Sequence, residues 1–139
     1  MNVLLSIKPK YVEEIKKGSK KYEFRRSFTS KKNMNKVNKI FIYCSAPVKK
    51  IVARFYINEI IEDHPKIIWE KCKKFSGIEE FEFFRYFGEK KKGFAIKITR
   101  LKFFHEPIEP NSVLKDFVPP QSFRYINDIE QRNSIVRYS

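Results

Sequence analysis

The chain has 139 residues and carries 30 Lys and Arg against 16 Asp and Glu, a net charge of +14 spread from Lys8 to Arg137. Such a surface attracts polyanions over long range, so nucleic acid is the expected partner, although a Lys-rich composition also serves plain solubility. No run approaches the roughly 18 apolar residues of a membrane span, and residues 1–7 lack the charged lead of a signal peptide. The expectation is one domain over residues 1–139, cytoplasmic, with no membrane partner.

In chain order, Val3–Ile7 reads as a short strand. Pro9, Tyr11, Val12 and Ile15 follow at helical spacing, and Gly18 stops that helix. In Lys21-Tyr22-Glu23-Phe24-Arg25 aromatics alternate with charges. This predicts a half-buried strand with Tyr22 and Phe24 inward and Lys21, Glu23 and Arg25 on the opposite face. Residues 27–38 lose periodicity and carry Lys31, Lys32 and Lys36, as a mobile basic loop able to close over a ligand would. Lys39–Cys44 is expected as a buried strand, Ser45-Ala46-Pro47 as a break, and residues 51–61 as a long strand beside it.

Pro65 opens a helix with Ile68, Cys72 and Phe75 on one face, closed by Ser76-Gly77. Ser76 with Glu79 spells a capping box for a second helix, which turns Phe81, Phe84 and Tyr86 or Phe87 inward. Phe94, Ile96 and Ile98 alternate with polar or small residues, whereas Leu101 and Phe103 have the opposite parity, which places a bulge at Thr99 or Arg100. Beyond Phe104, prolines 107, 110, 119 and 120 argue against long regular structure until a polar helical tail from about Asn127 to Tyr138. Short strands with helices between them fit an α+β fold with a small, closed or nearly closed sheet.

The sequence has no phosphate-binding glycine loop, no G-x-S-x-G elbow and no H-E-x-x-H helix. Cys44 and Cys72 lack paired spacing and read as reduced core thiols, while His64 and His105 fit capping or surface roles. No metal-ligand cluster is visible and no cofactor is required. One constellation remains, Gly18-Ser19-Lys20-Lys21-Tyr22-Glu23-Phe24-Arg25-Arg26, where a helix ends in a turn and feeds a strand bearing both signs of charge. Lys20 and Arg25 could clamp a phosphate or a base edge, and Glu23 could orient Arg25 or accept from an exocyclic amine. A solvated face with one cross-strand ion pair fits the spacing equally well.

Gly18-x-Lys20-x-x-Glu23-x-Arg25, after a strand and a short helix, resembles the signature of the ASCH domain family of the PUA-like superfamily. Residues 5–9, 42–47 and 119–125 also resemble segments of ASCH-type proteins. The resemblance implies a small PUA-like β-barrel of about five or six strands with helices packed against it. It further implies a cleft beside the signature strand and a role in recognising single-stranded RNA or a modified nucleobase, RNA ahead of DNA. Lys20, Glu23 and Arg25 would line that cleft, with Gly18 supplying the turn and Arg26 extending the strand's charge. Lys8, Ser45 and Arg124 come from the other resembling segments, and Phe123 and Tyr125 are the best rings for base stacking. Tyr22, Tyr43 and Trp69 read as core instead.

Two enzymatic alternatives share these residues. A ribonuclease could use Glu23 as base with Lys20 or Arg25 stabilising the developing charge. An amidohydrolase of N4-acetylcytidine-type nucleosides, as in some relatives, uses a Lys and, three residues later, a Thr. Here Glu23 stands in that place, and a carboxylate beside Lys20 is expected to favour the charged ammonium. A DNA-binding regulator ranks lowest, because no helix-turn-helix pattern stands out.

Overall fold

The centre of the first strand is apolar on both faces: Val3, Leu5 and Ile7 share one face, Leu4 lies on the other, and all four are buried. A strand patterned this way must be covered on both faces. In the computed structural model, which describes residues 1–29 and 31–130, β1 (Asn2–Ile7) lies inside a six-stranded sheet of order β2-β5-β4-β3-β1-β6. The other strands are β2 (Tyr22–Arg25), β3 (Lys39–Cys44), β4 (Lys50–Asp63), β5 (Gly93–Ile108) and β6 (Phe123–Ile126). β1 pairs with β3 in parallel, and the other neighbours are antiparallel.

One face of the sheet packs Val3, Leu5, Ile40 and Ile42 against Val12 and Ile15 of α1 (Pro9–Lys17). The other face buries Leu4, Phe41 and Tyr43 beneath Ile108 and Ile129. A separate cluster joins Phe24 and Ala95 to α3 (Pro65–Cys72), which carries Ile68 and Trp69, and to α4 (Glu80–Phe87), which carries Phe83 and Phe87. Cys44 and Cys72 are buried and free. His64 caps α3, its Nδ1 accepting the Lys66 N–H at 3.1 Å.

The sheet curls into a half-barrel because β4 and β5 are bent by register shifts along their shared ladder. Between the Arg54–Lys102 and Tyr56–Thr99 pairs, β5 spends one residue more than β4, and Arg100 takes a positive φ of 52°. This is the bulge that the parity switch in the sequence indicated. The curl brings the edge strands β2 and β6 together through side chains: Arg25 reaches Ser122, Phe28 packs on Phe123 with ring centroids 5.5 Å apart, and Thr29 bonds the Tyr125 hydroxyl.

Several expectations are corrected. β5 continues past Phe104 through Pro107, because regular pairing lapses between Phe103 and Ile108 and a missing N–H there leaves no ladder bond unmade. Residues 123–126 form a short strand, β6, that the sequence reading did not include. The segment 27–38 contains α2 (Lys31–Met34) and buries Phe28, Thr29 and Val37. The capping box does not form: α4 starts after Glu79, and the Ser76 hydroxyl bonds the Ile78 carbonyl instead. With α4 in that register Phe83 and Phe87 are buried, while Phe81 is turned outward and 65% exposed. Most of the tail expected from Asn127 to Tyr138 lies outside the described residues. No helix among the described residues is long and apolar enough to cross a membrane.

Candidate functional site

Helix α1 ends on Gly18, whose φ of 87° suits glycine and whose N–H returns to the Ile15 carbonyl at 3.2 Å. The turn delivers Lys20 to an isolated antiparallel bridge with Ser76, and the Lys21 N–H donates to the Phe75 carbonyl at 2.8 Å. Gly77 has to be glycine here: its φ is 62°, and a Cβ would lie 2.3 Å from the Lys20 Cβ.

Lys20 is only 3% exposed. Its Nζ donates to the Ser76 carbonyl at 3.0 Å and lies 4.6 Å from the Phe24 ring centroid and 5.5 Å from that of Tyr11. Burial holds its pKa below the ordinary lysine value, against the opposing pull of the Glu23 carboxylate. This corrects the sequence expectation that the carboxylate would decide the balance in favour of the ammonium; desolvation outweighs it.

β2 is not half-solvated as expected, because both of its faces are covered. Phe24 opposes Ala95 in the aromatic cluster, whereas Glu23 opposes Ile96 and Arg25 opposes Phe94, which belong to the core beneath α1. Glu23 is 7% exposed, and its Oε1 accepts the Phe24 N–H at 3.1 Å. Arg25 Nη2 donates to the Ser122 carbonyl at 2.6 Å and its hydroxyl at 3.2 Å, and its Nε is buried with no hydrogen-bond partner among the described residues.

Lys20, Glu23 and Arg25 open onto one cleft of about 330 Å³. The end of β1 and start of α1 supply Ser6, Lys8 and Tyr11, and α4 supplies the opposite wall with Glu82, Arg85 and Tyr86. Across the mouth, Glu82 Oε2 accepts from the Tyr11 hydroxyl at 2.8 Å and from Lys10 Nζ at 3.0 Å. The two bonds hold the Glu82 carboxyl below the usual carboxylate range.

Of the residues singled out from sequence, Lys8, Lys20, Glu23 and Arg25 line this cleft and Gly18 makes the turn behind it. Arg26 sits at its rim, its guanidinium 5.1 Å from the Tyr86 ring centroid and its N–H donating to the Tyr86 hydroxyl at 3.1 Å. Ser45, Phe123, Arg124 and Tyr125 are not among the lining residues. Ser45 follows β3 with its N–H on the Ile7 carbonyl, and Arg124 stands opposite Leu4 in the β1–β6 ladder. Phe123 is half-buried against Phe28 and Tyr125 is 42% exposed. Tyr43 and Trp69 are core residues, as expected. Sequence reasoning missed Tyr11, Glu82, Arg85 and Tyr86. The last three share a helical face at spacings of three and four, a signal hidden by placing Phe81 inside.

Residues 5–104 match the ASCH domain family. The chain belongs to that family. It is similar to the ASCH domain-containing ribonuclease of Zymomonas mobilis, 24% identical over 138 residues that cover 95% of this chain and 88% of the relative. The crystal structure of ASCH from Zymomonas mobilis superposes with a TM-score of 0.83 at 22% identity, covering 97% of this chain and 94% of that one. The N-terminal domain of Staphylothermus marinus McrB gives 0.62 at 10% identity over 98% and 93% of the two chains. The structural likenesses show that the curled α+β fold is that of solved ASCH domains. Lys8, Gly18, Lys20, Glu23, Arg25, Arg26 and Ser45 fall within the matched span; Phe123, Arg124 and Tyr125 lie beyond it.

Proposed function

We propose that the protein binds single-stranded RNA and takes one nucleotide into the cleft between α1, β2 and α4. The observation that carries this reading is the convergence of Lys20, Glu23 and Arg25, two of them buried, on one small cleft in a chain of net charge +14. Its 330 Å³ lies at the lower end of the roughly 300–1,000 Å³ range of small-molecule sites, which suits one nucleotide. Arg25 brings a planar guanidinium to the cleft wall, Lys8 an exposed charge, and Glu23 a carboxylate able to accept from an exocyclic amine of an ordinary or modified base. The Zymomonas mobilis relative, named a ribonuclease, supports RNA ahead of DNA.

RNA cleavage is the second reading, favoured by that name and by Lys20. An amine whose pKa is lowered by burial is better matched to proton transfer than an ordinary lysine. Glu23 stands beside it, and Arg25 would stabilise charge developing on the phosphate. Hydrolysis of an N4-acetylated nucleoside has less support, because Glu23 occupies the place of the hydroxyl that such relatives carry.

The test is incubation of wild type and Lys20→Met, both checked for fold by circular dichroism, with labelled single-stranded RNA and with N4-acetylcytidine at low and moderate salt. Wild type is expected to form a complex with RNA that weakens steeply as salt rises. RNA product made by wild type and lost in Lys20→Met would establish the cleavage reading. Absence of any RNA complex at low salt would overturn the proposal.

A further inference from the structure

The cleft does not end at its own rim. α4 buries Phe83 and Phe87, but Phe81 on the same helix is 65% exposed, the most exposed aromatic side chain among the described residues. Arg85, one turn later, lays its guanidinium 4.6 Å from the Phe81 ring centroid and also lines the cleft. The next residue, Tyr86, lines the cleft too and carries Arg26 over its ring at 5.1 Å. Two arginine-on-ring pairs therefore run from the cleft's wall onto open surface. An exposed ring and a half-buried one, each beside an arginine, match the stacking platforms that hold single-stranded nucleic acid, where π-faces take bases and the cations take phosphates.

The charge along this strip suits a polyanion. Of the carboxylates along α4, Glu82 is engaged by Lys10 and Tyr11, which leaves Glu80 in the first turn and Glu79 just before it, where the dipole favours them. Arg26 and Arg85 carry the opposite sign on the cleft side, with Lys8 across the opening.

We infer that the outer face of α4 is a second subsite: Phe81 stacks the base next to the nucleotide in the cleft, and Arg85 and Arg26 hold the phosphates between them. The inference rests on the RNA-binding reading and adds to it a reach of at least two consecutive nucleotides. Affinity should depend on oligonucleotide length, through a residue outside the cleft.

The experiment compares uridine monophosphate with a tri-uridine oligonucleotide, by calorimetry, against wild type, Phe81→Ala and Phe81→Trp. Because Phe81 is exposed, these variants should fold like wild type. Phe81→Ala is expected to weaken the trinucleotide about tenfold and leave the mononucleotide unchanged, and Phe81→Trp to retain both affinities. Equal trinucleotide affinity in wild type and Phe81→Ala would overturn the inference while leaving the cleft reading intact. No binding of either probe to wild type would remove both. A change in sedimentation with Phe81→Ala, at unchanged RNA affinity, would assign this face to a second copy of the chain and also overturn the inference.

Discussion

Arg25 and Ser122, 97 positions apart in sequence, join the two edges of the curled sheet, the guanidinium Nη2 lying 2.6 Å from the Ser122 carbonyl oxygen and 3.2 Å from its hydroxyl. β2 and β6 make no ladder with each other, so this contact helps to bridge the open side of the half-barrel beside the cleft. A charged donor on a partly buried carbonyl contributes about 1.5–3 kcal/mol. Arg25→Ala is therefore expected to lower unfolding free energy by about that amount in urea titrations. A variant as stable as wild type would show that the Phe28–Phe123 packing and the Thr29–Tyr125 hydrogen bond hold the seam without it.

Lys20 makes stability depend on alkaline pH. Its folded-state pKa lies below the ordinary value, so between the two values the unfolded chain binds more protons than the folded one, and stability rises with pH there. The cost of burying the charge is complete below the folded value and vanishes as pH climbs towards 10.5. Lys20→Met lacks that titration. Its stability relative to wild type should fall as pH rises through the window, measured by urea unfolding at several pH values; a constant difference would contradict the assignment.

Glu130 supplies the acid-side counterpart. Burial tends to raise its pKa, but hydrogen bonds from Lys39, Lys102 and Arg54, at 3.0, 3.2 and 3.0 Å, bring it down to about 2. The stabilisation is present above the ordinary 4.5 and is lost as pH falls towards 2. Glu130→Gln should be less stable than wild type by about 2–3 kcal/mol at neutral pH, with the gap closing across that window in an acid-unfolding series.

Gly77→Ala tests the packing that places Lys20. The new methyl would meet the Lys20 Cβ and force an alanine into a positive φ, at a cost of about 1–3 kcal/mol. Denaturation should show that loss. Gly18→Ala, also at positive φ but with nothing within 4 Å of the new Cβ, should cost less.

The parts of the fold that local chemistry decides were legible in the sequence. Gly18 ended α1, Pro65 opened α3, Lys39–Cys44 formed a buried strand, and the parity change after Ile98 marked the bend at Arg100. What depended on distant partners was not. Phe81 and Phe83 are chemically alike, and only the fit of α4 against Trp69 and Phe24 decides which is buried. Residues 123–126 look irregular until β1 offers them an edge, and Pro107 looks like a break until the lapse in the β4–β5 pairing absorbs it. At the cleft, the alternation of β2 put Glu23 and Arg25 on one face. That this face is interior follows from the position of α1, which no local pattern encodes.

The two outer strands of the sheet, β2 and β6, are each four residues long. An edge this short presents few unpaired backbone groups, and the Arg25, Thr29 and Tyr125 side chains crowd the gap between the two edges. At these two outer strands the protein thus offers little template for strand-to-strand association.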